Sequence, residues 1–537
     1  MATMESSSQP APSRLARLES WLEEAGDRLN SILVKSARQS MQSRQFSRTF
    51  MLVLLAILLW SFYGLSFRNL DPDAAIGPKM FIGYFIILAF PLLVTIPSSA
   101  FGALSGEFQD QTFELLSITT LTPRQIVFGN LATAMLQQLL FTSALMPCLA
   151  FTFLLRGIDI VTILVSVGYL CLLSLGLTIL ALLVATLTTT RFQQSLLSAV
   201  VAIGLFFCFL FTIQIVSELF LRSFFSAFKE GAAYFYLFTL SNFASLFALV
   251  FLATAARLTF ATDNRATALR IAMLVQSAVL AGTFLVAAIR FGGAREIAMT
   301  YFVLVGLFWY ALGVFVVGES SELSLRVRRQ LPRTRLGQIG AAWFFPGPAR
   351  GYFFVLTNLL TALALALVFI YFRDSARAKS ISDELVLAAT MFSYVAVYLG
   401  VLYALIKIFP SKATPSSRVL PITINMALIL VGCVIPSILD AILANPYGRS
   451  YSLFEIFNPF VTLSYAHRDP TNATVVAVEF LMWFLAGVVV FLMGRQAIRE
   501  LRASWLAAPQ RVLEDEAQKN AAPPAAAADP WAADAPG

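Results

Sequence analysis

The chain predicts an all-α integral membrane protein of about twelve transmembrane helices in two six-helix halves. An N-terminal amphipathic elbow helix and a polar cytoplasmic hairpin complete the predicted architecture. Three observations carry this. Of 537 residues, 58% are hydrophobic and only 13% charged, with a mean hydropathy of +0.77. The apolar residues fall into twelve uncharged runs of about 20 residues, each long enough to cross a hydrocarbon core of about 30 Å as a helix. The basic residues are unevenly divided between alternate loops.

The runs are 50–67, 80–97, 131–155, 161–187, 195–216 and 233–255, then 271–289, 299–317, 352–372, 385–408, 419–440 and 474–493. Alternating spans from a cytoplasmic N-terminus put 26 of the 38 Lys and Arg on the inner side. Both termini are therefore expected in the cytoplasm, and the protein in the plasma (cytoplasmic) membrane as a multi-pass protein, of bacterial origin. The net charge of +8 has the same source, attraction to anionic inner-leaflet lipid, and calls for no nucleic acid.

Ahead of the first span, Leu15, Leu18, Leu22, Ala25, Leu29 and Ile32 recur at spacings of three and four, with charges between them. That spacing predicts a helix lying on the membrane surface. Lys35, Arg38, Arg44 and Arg48 then lead into the bilayer. A short coiled-coil contact with a partner is the other reading of the same stripe.

Between the second and third spans lies a polar island, 99–130. Glu107, Asp110 and Glu114 share one helix face, with Leu104, Phe108 and Leu115 opposite. After a break at Thr119-Thr120-Leu121, Thr122 is placed as an N-cap, Pro123 as the first helical residue and Gln125 as the return of a capping box. The island reads as a helical hairpin with an acidic face. A solvated amphipathic helix between two spans is the plainer alternative.

The order of residues in GEFQDQTFELLSITTLTPRQIVFGN adds to this reading. It resembles the segment after the second span in permease subunits of type-2 ABC transporters, the ABC-2 exporter family. The residues that match are Glu107, Thr112, Glu114, Leu115, Leu116, Pro123, Ile126, Val127 and Gly129. Gln111 and Asn130 depart from the family pattern. The resemblance implies a coupling helix that docks on a separate cytoplasmic ABC ATPase subunit, itself a dimer, which binds ATP and Mg. Glu107, Asp110, Thr112, Glu114, Leu115, Thr122, Pro123, Arg124 and Gly129 would form that docking segment. It further implies export. Twelve spans would be both permease halves in one chain, unless a second permease chain completes the pair.

The divisions expected on this basis are a tail with the elbow helix (1–49), a six-span half (50–256), a join with spans seven and eight and a basic loop (257–350), spans nine to twelve (351–505) and an Ala/Pro-rich tail unable to build a core (506–537). In the second half, Gly318-Glu319 and Leu331-Pro332-Arg333 echo Gly106-Glu107 and Leu121-Thr122-Pro123-Arg124, so 318–338 is a candidate degenerate counterpart of the hairpin. The external 217–232 stretch resembles a re-entrant segment, and the aromatic 441–473 stretch is expected to lie partly in the membrane interface.

Intramembrane polar residues are few. Gln137, Gln138, Gln214 and Gln276 are expected to hold neighbouring helices together, with the lining of a substrate path as the sharper alternative. Glu479, Lys407 and Asp440 are read as lying near span ends within reach of water. On that reading the spans lack the buried carboxylates an ion-coupled carrier needs, so energy must come from another chain. The four cysteines, Cys148, Cys171, Cys208 and Cys433, are expected as small buried residues, and no metal set or disulfide is expected. His467, the one histidine, reads as part of a surface turn, and Asp71-Pro72-Asp73 as a solvated turn. There is no GxxxxGK[ST], HExxH, paired CxxC or GxSxG, hence no catalytic residue and no cofactor bound by the chain itself is expected. The function expected is a non-enzymatic permease subunit; a secondary ion-coupled transporter and a membrane anchor or assembly protein are the alternatives.

Overall fold

The structure is a computed structural model. It describes residues 31–67, 76–109, 121–155, 158–188, 190–221, 232–260, 263–291, 294–319, 323–324, 326–327, 337, 340–341, 343–373, 378–408, 420–444, 451–469, 471–505, 514–515 and 517–518. Every regular element among them is helical.

Twelve helices among the described residues are long and apolar enough to cross a membrane, one for each run in the sequence. Spans 1 to 6 are Arg44–Gly64, Gly77–Gln109, Pro123–Leu154, Ile160–Ala185, Arg191–Ser217 and Tyr234–Leu258. Spans 7 to 12 are Ala266–Phe291, Ile297–Val317, Pro348–Phe372, Ser382–Ile408, Leu420–Leu443 and Ala473–Arg502. Several helices outrun their apolar stretch. Span 3 starts at Pro123 and span 2 continues to Gln109, because caps and backbone hydrogen bonds, unlike hydropathy, decide where a helix ends. The amphipathic stretch 15–30 lies outside the described residues. The described helix before span 1 is Ser31–Met41, and it packs along span 3.

The chain packs as two compact units. The first comprises 1–260, 265–292 and 411–419 and holds spans 1 to 7; the second comprises 261–264, 293–410 and 420–537 and holds spans 8 to 12. Span 7 belongs with span 6 for a physical reason. Ser245 Oγ donates to Gln276 Oε1 at 2.6 Å, and Asn242 Nδ2 donates to Thr283 Oγ1 at 3.1 Å. Amide and hydroxyl groups at bilayer depth thus find their partners across this helix pair.

In the first unit the core has two layers. Phe81, Phe85, Leu88, Leu92, Phe141, Leu145 and Val167 form one. The other gathers the end of span 2 (Phe101, Leu104), the start of span 3 (Ile126, Val127, Leu131), the end of span 4 (Ile179, Leu182) and the end of span 6 (Ala255, Leu258). Four ends that an alternating topology puts on one side do meet in one layer. Spans 1 and 2 approach closely at Gly83, where a Cβ would overlap the Trp60 indole.

Span 2 is not a regular α-helix. Residues Pro91–Thr95 form a π-turn, with Ile96 N bonded back to Pro91 O. Pro97 follows, and the carbonyl its ring would crowd, that of Leu93, lies inside the widened turn. The Leu92 carbonyl accepts instead from Ser174 Oγ of span 4 at 2.7 Å. Span 11 repeats the device in the second unit: Leu430–Val434 is a π-turn and Pro436 follows it.

The second unit is fixed at one end by buried charge. Glu500 of span 12 accepts from Ala349 N at 3.2 Å and Arg350 N at 3.4 Å, capping span 9. Arg350 Nη2 donates to the Glu500 carbonyl at 3.0 Å, and its Nε lies 4.0 Å from Oε2. Glu319 accepts from Gly347 N at 2.9 Å, beside the same cap. The residue matched by sequence to Glu107 therefore serves a neighbouring helix end; Leu331, Pro332 and Arg333 lie outside the described residues.

Candidate functional site

Glu107 sits in the last turn of the helix Ile96–Gln109, which continues span 2 beyond the π-turn. The separate short helix expected from the sequence is, as far as Gln109, an extension of the span itself. Leu104 is buried and Phe108 packs on the layer joining spans 2, 3, 4 and 6, so the apolar face turns to neighbouring spans. Glu107, one turn on from Leu104, is half-buried and not an open acid. Lys35 of the Ser31–Met41 helix brings Nζ to 3.7 Å from its Oε1, leaving the carboxylate side chain 19% exposed and the lysine 60%.

Asp110, Thr112, Glu114 and Leu115 lie outside the described residues. On the far side, Thr122 is the N-cap of span 3 in extended conformation. Its backbone N donates to Gln125 Oε1 at 2.8 Å, and its Oγ1 accepts from Gln125 N at 3.4 Å, so the capping box is complete. Pro123 takes the first helical position, Arg124 is exposed, and Gly129 is buried one turn further on. Of the expected docking residues, the structure brings Glu107, Thr122, Pro123 and Arg124 to the ends of two adjacent spans.

On a face of span 2 away from Glu107, the end of that span and the start of span 5 border an open cleft of about 420 Å³. Ser98, Ser105, Gln109, Arg191, Gln194 and Ser195 line it, with Gln194 Nε2 donating to Ser105 Oγ at 3.0 Å.

The four glutamines differ in their surroundings. Gln137 and Gln138 are buried on span 3, and Gln138 Oε1 has no hydrogen-bond partner among the described residues. Gln276 is buried in the span 6–span 7 network. Gln214 is exposed on span 5. Cys208 is exposed too, contrary to the buried position expected, because it lies on an outer face of span 5 with Phe207 and Phe211.

A second polar site carries no sequence motif. Glu479 is only 4% exposed, two turns inside span 12, and does not reach water as expected. Its neighbours on that helix explain this: Val475, Val478, Met482 and Ala486 recur at three and four and form the buried face, and Glu479 lies on it. Its carboxyl lies beside Thr390 of span 10, whose Oγ1 accepts from Trp483 Nε1 at 3.3 Å. Tyr394 follows one turn on, its hydroxyl 2.6 Å from the Ile456 carbonyl and 2.9 Å from Thr462 Oγ1. Tyr451 closes the group, 2.8 Å from Thr462 Oγ1, and burial raises its phenol above the ordinary value. Glu455, on the 3₁₀ turn Leu453–Phe457, is 3% exposed. Lys407, by contrast, is exposed, as expected, and Asp440 is half-buried.

No family model, curated protein or solved structure matches the chain.

The aromatic stretch before span 12 covers this second site with the helix Pro459–Arg468. Asn458 caps that helix through Oδ1, accepting from Phe460 N at 3.1 Å, while Nδ2 donates to Ser437 Oγ at 2.8 Å. Phe454, Phe457 and Phe460 are exposed, in keeping with a segment at a membrane interface. His467 is exposed. Asn472 Oδ1 accepts from Thr474 N at 3.1 Å at the start of span 12.

Proposed function

We propose that the chain is the permease subunit of an ATP-driven exporter of the type-2 ABC class. A separate cytoplasmic ATPase supplies the energy and docks around residues 107–124. The observation that carries the reading is mechanical. The helix bearing Glu107 is span 2 itself, and the capping box at Thr122 begins span 3 itself. Force applied to the short connection therefore acts on two spans without a flexible joint at Thr122. The π-turn at Pro91–Thr95 gives span 2 a place to bend under that load. The resemblance of 104–130 to a coupling segment and the inward-basic loops support the same reading.

The Lys35–Glu107 pair shapes the docking face. Glu107 is mostly covered, and the exposed lysine paired with it makes the rim mixed in charge. Purification from native membranes after mild cross-linking tests the proposal. The expected result is a co-purifying, vanadate-sensitive ATPase that is lost with Glu107→Arg and Glu114→Arg. A complex that hydrolyses no ATP, or capture unchanged by both reversals, contradicts it.

One observation favours a second reading, an ion-coupled carrier: the buried carboxyl of Glu479, a group such a carrier needs. Flux that persists without ATP and collapses with the ion gradient would support it. ATPase stimulation with no flux at all would instead mark an anchoring or assembly role.

A further inference from the structure

Glu479 is a carboxyl two turns inside a span, on its buried face, beside Thr390 and, among the described residues, paired with no cation. An ionised carboxylate so placed, with no cation beside it, costs several kcal/mol relative to water. The described groups around it supply no compensating charge. Span 10 offers Thr390, Tyr394 and Tyr398, and buries Glu384 at its start. Span 11 offers Cys433, 3.6 Å from the Tyr398 hydroxyl. The stretch over the site offers Tyr451 and Glu455, and His467 and Arg468 of the following helix are exposed. Arg350, next to span 12 through span 9, is held by Glu500, 21 residues along from Glu479 and so about 30 Å away. Glu455 adds no positive charge either: it is an acid, 3% exposed, and its Oε2 has no hydrogen-bond partner among the described residues.

We propose that Glu479 is a proton-binding site, and that the 451–469 stretch closes over it only while it carries its proton. The balance is simple. As the stretch seats, an O–H bond forms on the Glu479 carboxyl with a proton taken from water. As the stretch lifts, that bond breaks, the proton returns to water, and the carboxylate is hydrated. The aromatic stretch is tied to the site through Tyr394, which reaches Ile456 and Thr462, and through Tyr398, which reaches the Phe457 carbonyl at 2.6 Å. Opening to hydrate the carboxylate must break those bonds. The site stands whether ATP or an ion gradient drives the chain.

The test uses the full chain in lipid nanodiscs, without nucleotide. Infrared difference spectra between neutral and alkaline pH should show a protonated carboxyl band that is absent in Glu479→Gln. Amide exchange over 451–469 should quicken at least tenfold beyond its intrinsic dependence as the band is lost, and stay slow in Glu479→Gln, which keeps the neutral form. Thr390→Val, a smaller change, should shift the band without removing it. A spectrum identical in wild type and Glu479→Gln, a band unmoved by Thr390→Val, or exchange over 451–469 that ignores the band would each overturn the proposal. Since no ATP enters the experiment, its failure leaves the ATPase reading untouched, and loss of ATPase capture leaves the proton site untouched.

Discussion

Replacing Glu500 by Gln should cost the second unit about 3 kcal/mol, most of it from one neighbour. The side chains of Arg350 and Glu500 are 5% and 3% exposed, so neither charge is screened by water. The substituted amide would keep the volume and one oxygen to accept from Ala349 N, so the loss of the helix cap is small against the roughly 1 kcal/mol a cap is worth. What remains is a guanidinium that has lost its buried counter-charge, a change that in other proteins costs about 3–5 kcal/mol. The lower end applies here because the pair is loose, 4.0 Å from Nε to Oε2, and Arg350 keeps its bond to the backbone carbonyl of that position. Reversible unfolding in mixed micelles, followed by tryptophan fluorescence, measures this as a shift in denaturant midpoint. The double variant Arg350→Met with Glu500→Gln should recover at least about 2 kcal/mol of the single loss, since contacting charges are non-additive. A Glu500→Gln variant within about 0.5 kcal/mol of wild type, or strict additivity in the cycle, would refute the assignment of this pair as what ties span 12 to span 9.

Further expectations follow from single contacts. Ser174→Ala should destabilise the first unit by about 1–3 kcal/mol, because it strands the buried Leu92 carbonyl in the π-turn; the same unfolding assay measures it, and Ser174→Thr should restore part of the loss. Gly347→Ala should cost about 1–3 kcal/mol, since φ is +153° there and a Cβ would stand 3.0 Å from Glu500 Oε2; a neutral result would contradict that strain. Thr122→Ala should cost roughly 1 kcal/mol and appear as faster amide exchange confined to the first turn of span 3, with Thr122→Ser close to wild type. Gln276→Leu should loosen the span 6–span 7 pair by about 0.6–1.7 kcal/mol, because it removes the acceptor of the Ser245 hydroxyl; the same unfolding assay measures it.

Much of this is legible in the residues. Twelve apolar runs correspond to twelve helices, and Thr122-Pro123-Arg124-Gln125 announces its capping box, because both depend on local composition and spacing. Gln276 finds a hydrogen-bond partner on the neighbouring span, as an amide in a span by default does. What escapes the sequence is long-range or face-dependent. Nothing near Glu107 in sequence signals Lys35, which arrives on a helix that packs along span 3. Distance from the span end suggests water for Glu479, whereas the spacing of Val475, Val478, Met482 and Ala486 around it carries the signal that it faces inward. Span 7 joins spans 1 to 6 through Asn242 and Gln276, which a count of six spans per half does not anticipate. The prolines at 91, 97 and 436 mark irregular helix, but not that the irregularity is a π-turn.

Docking of an ATPase requires Glu107 to face the compartment where ATP is hydrolysed. A single cysteine at that position, Glu107→Cys, in a chain whose Cys148, Cys171, Cys208 and Cys433 are replaced by Ser or Ala, reports on this through a membrane-impermeant maleimide. Labelling in inside-out vesicles and none in intact cells is the expected result; labelling from outside intact cells would contradict the account.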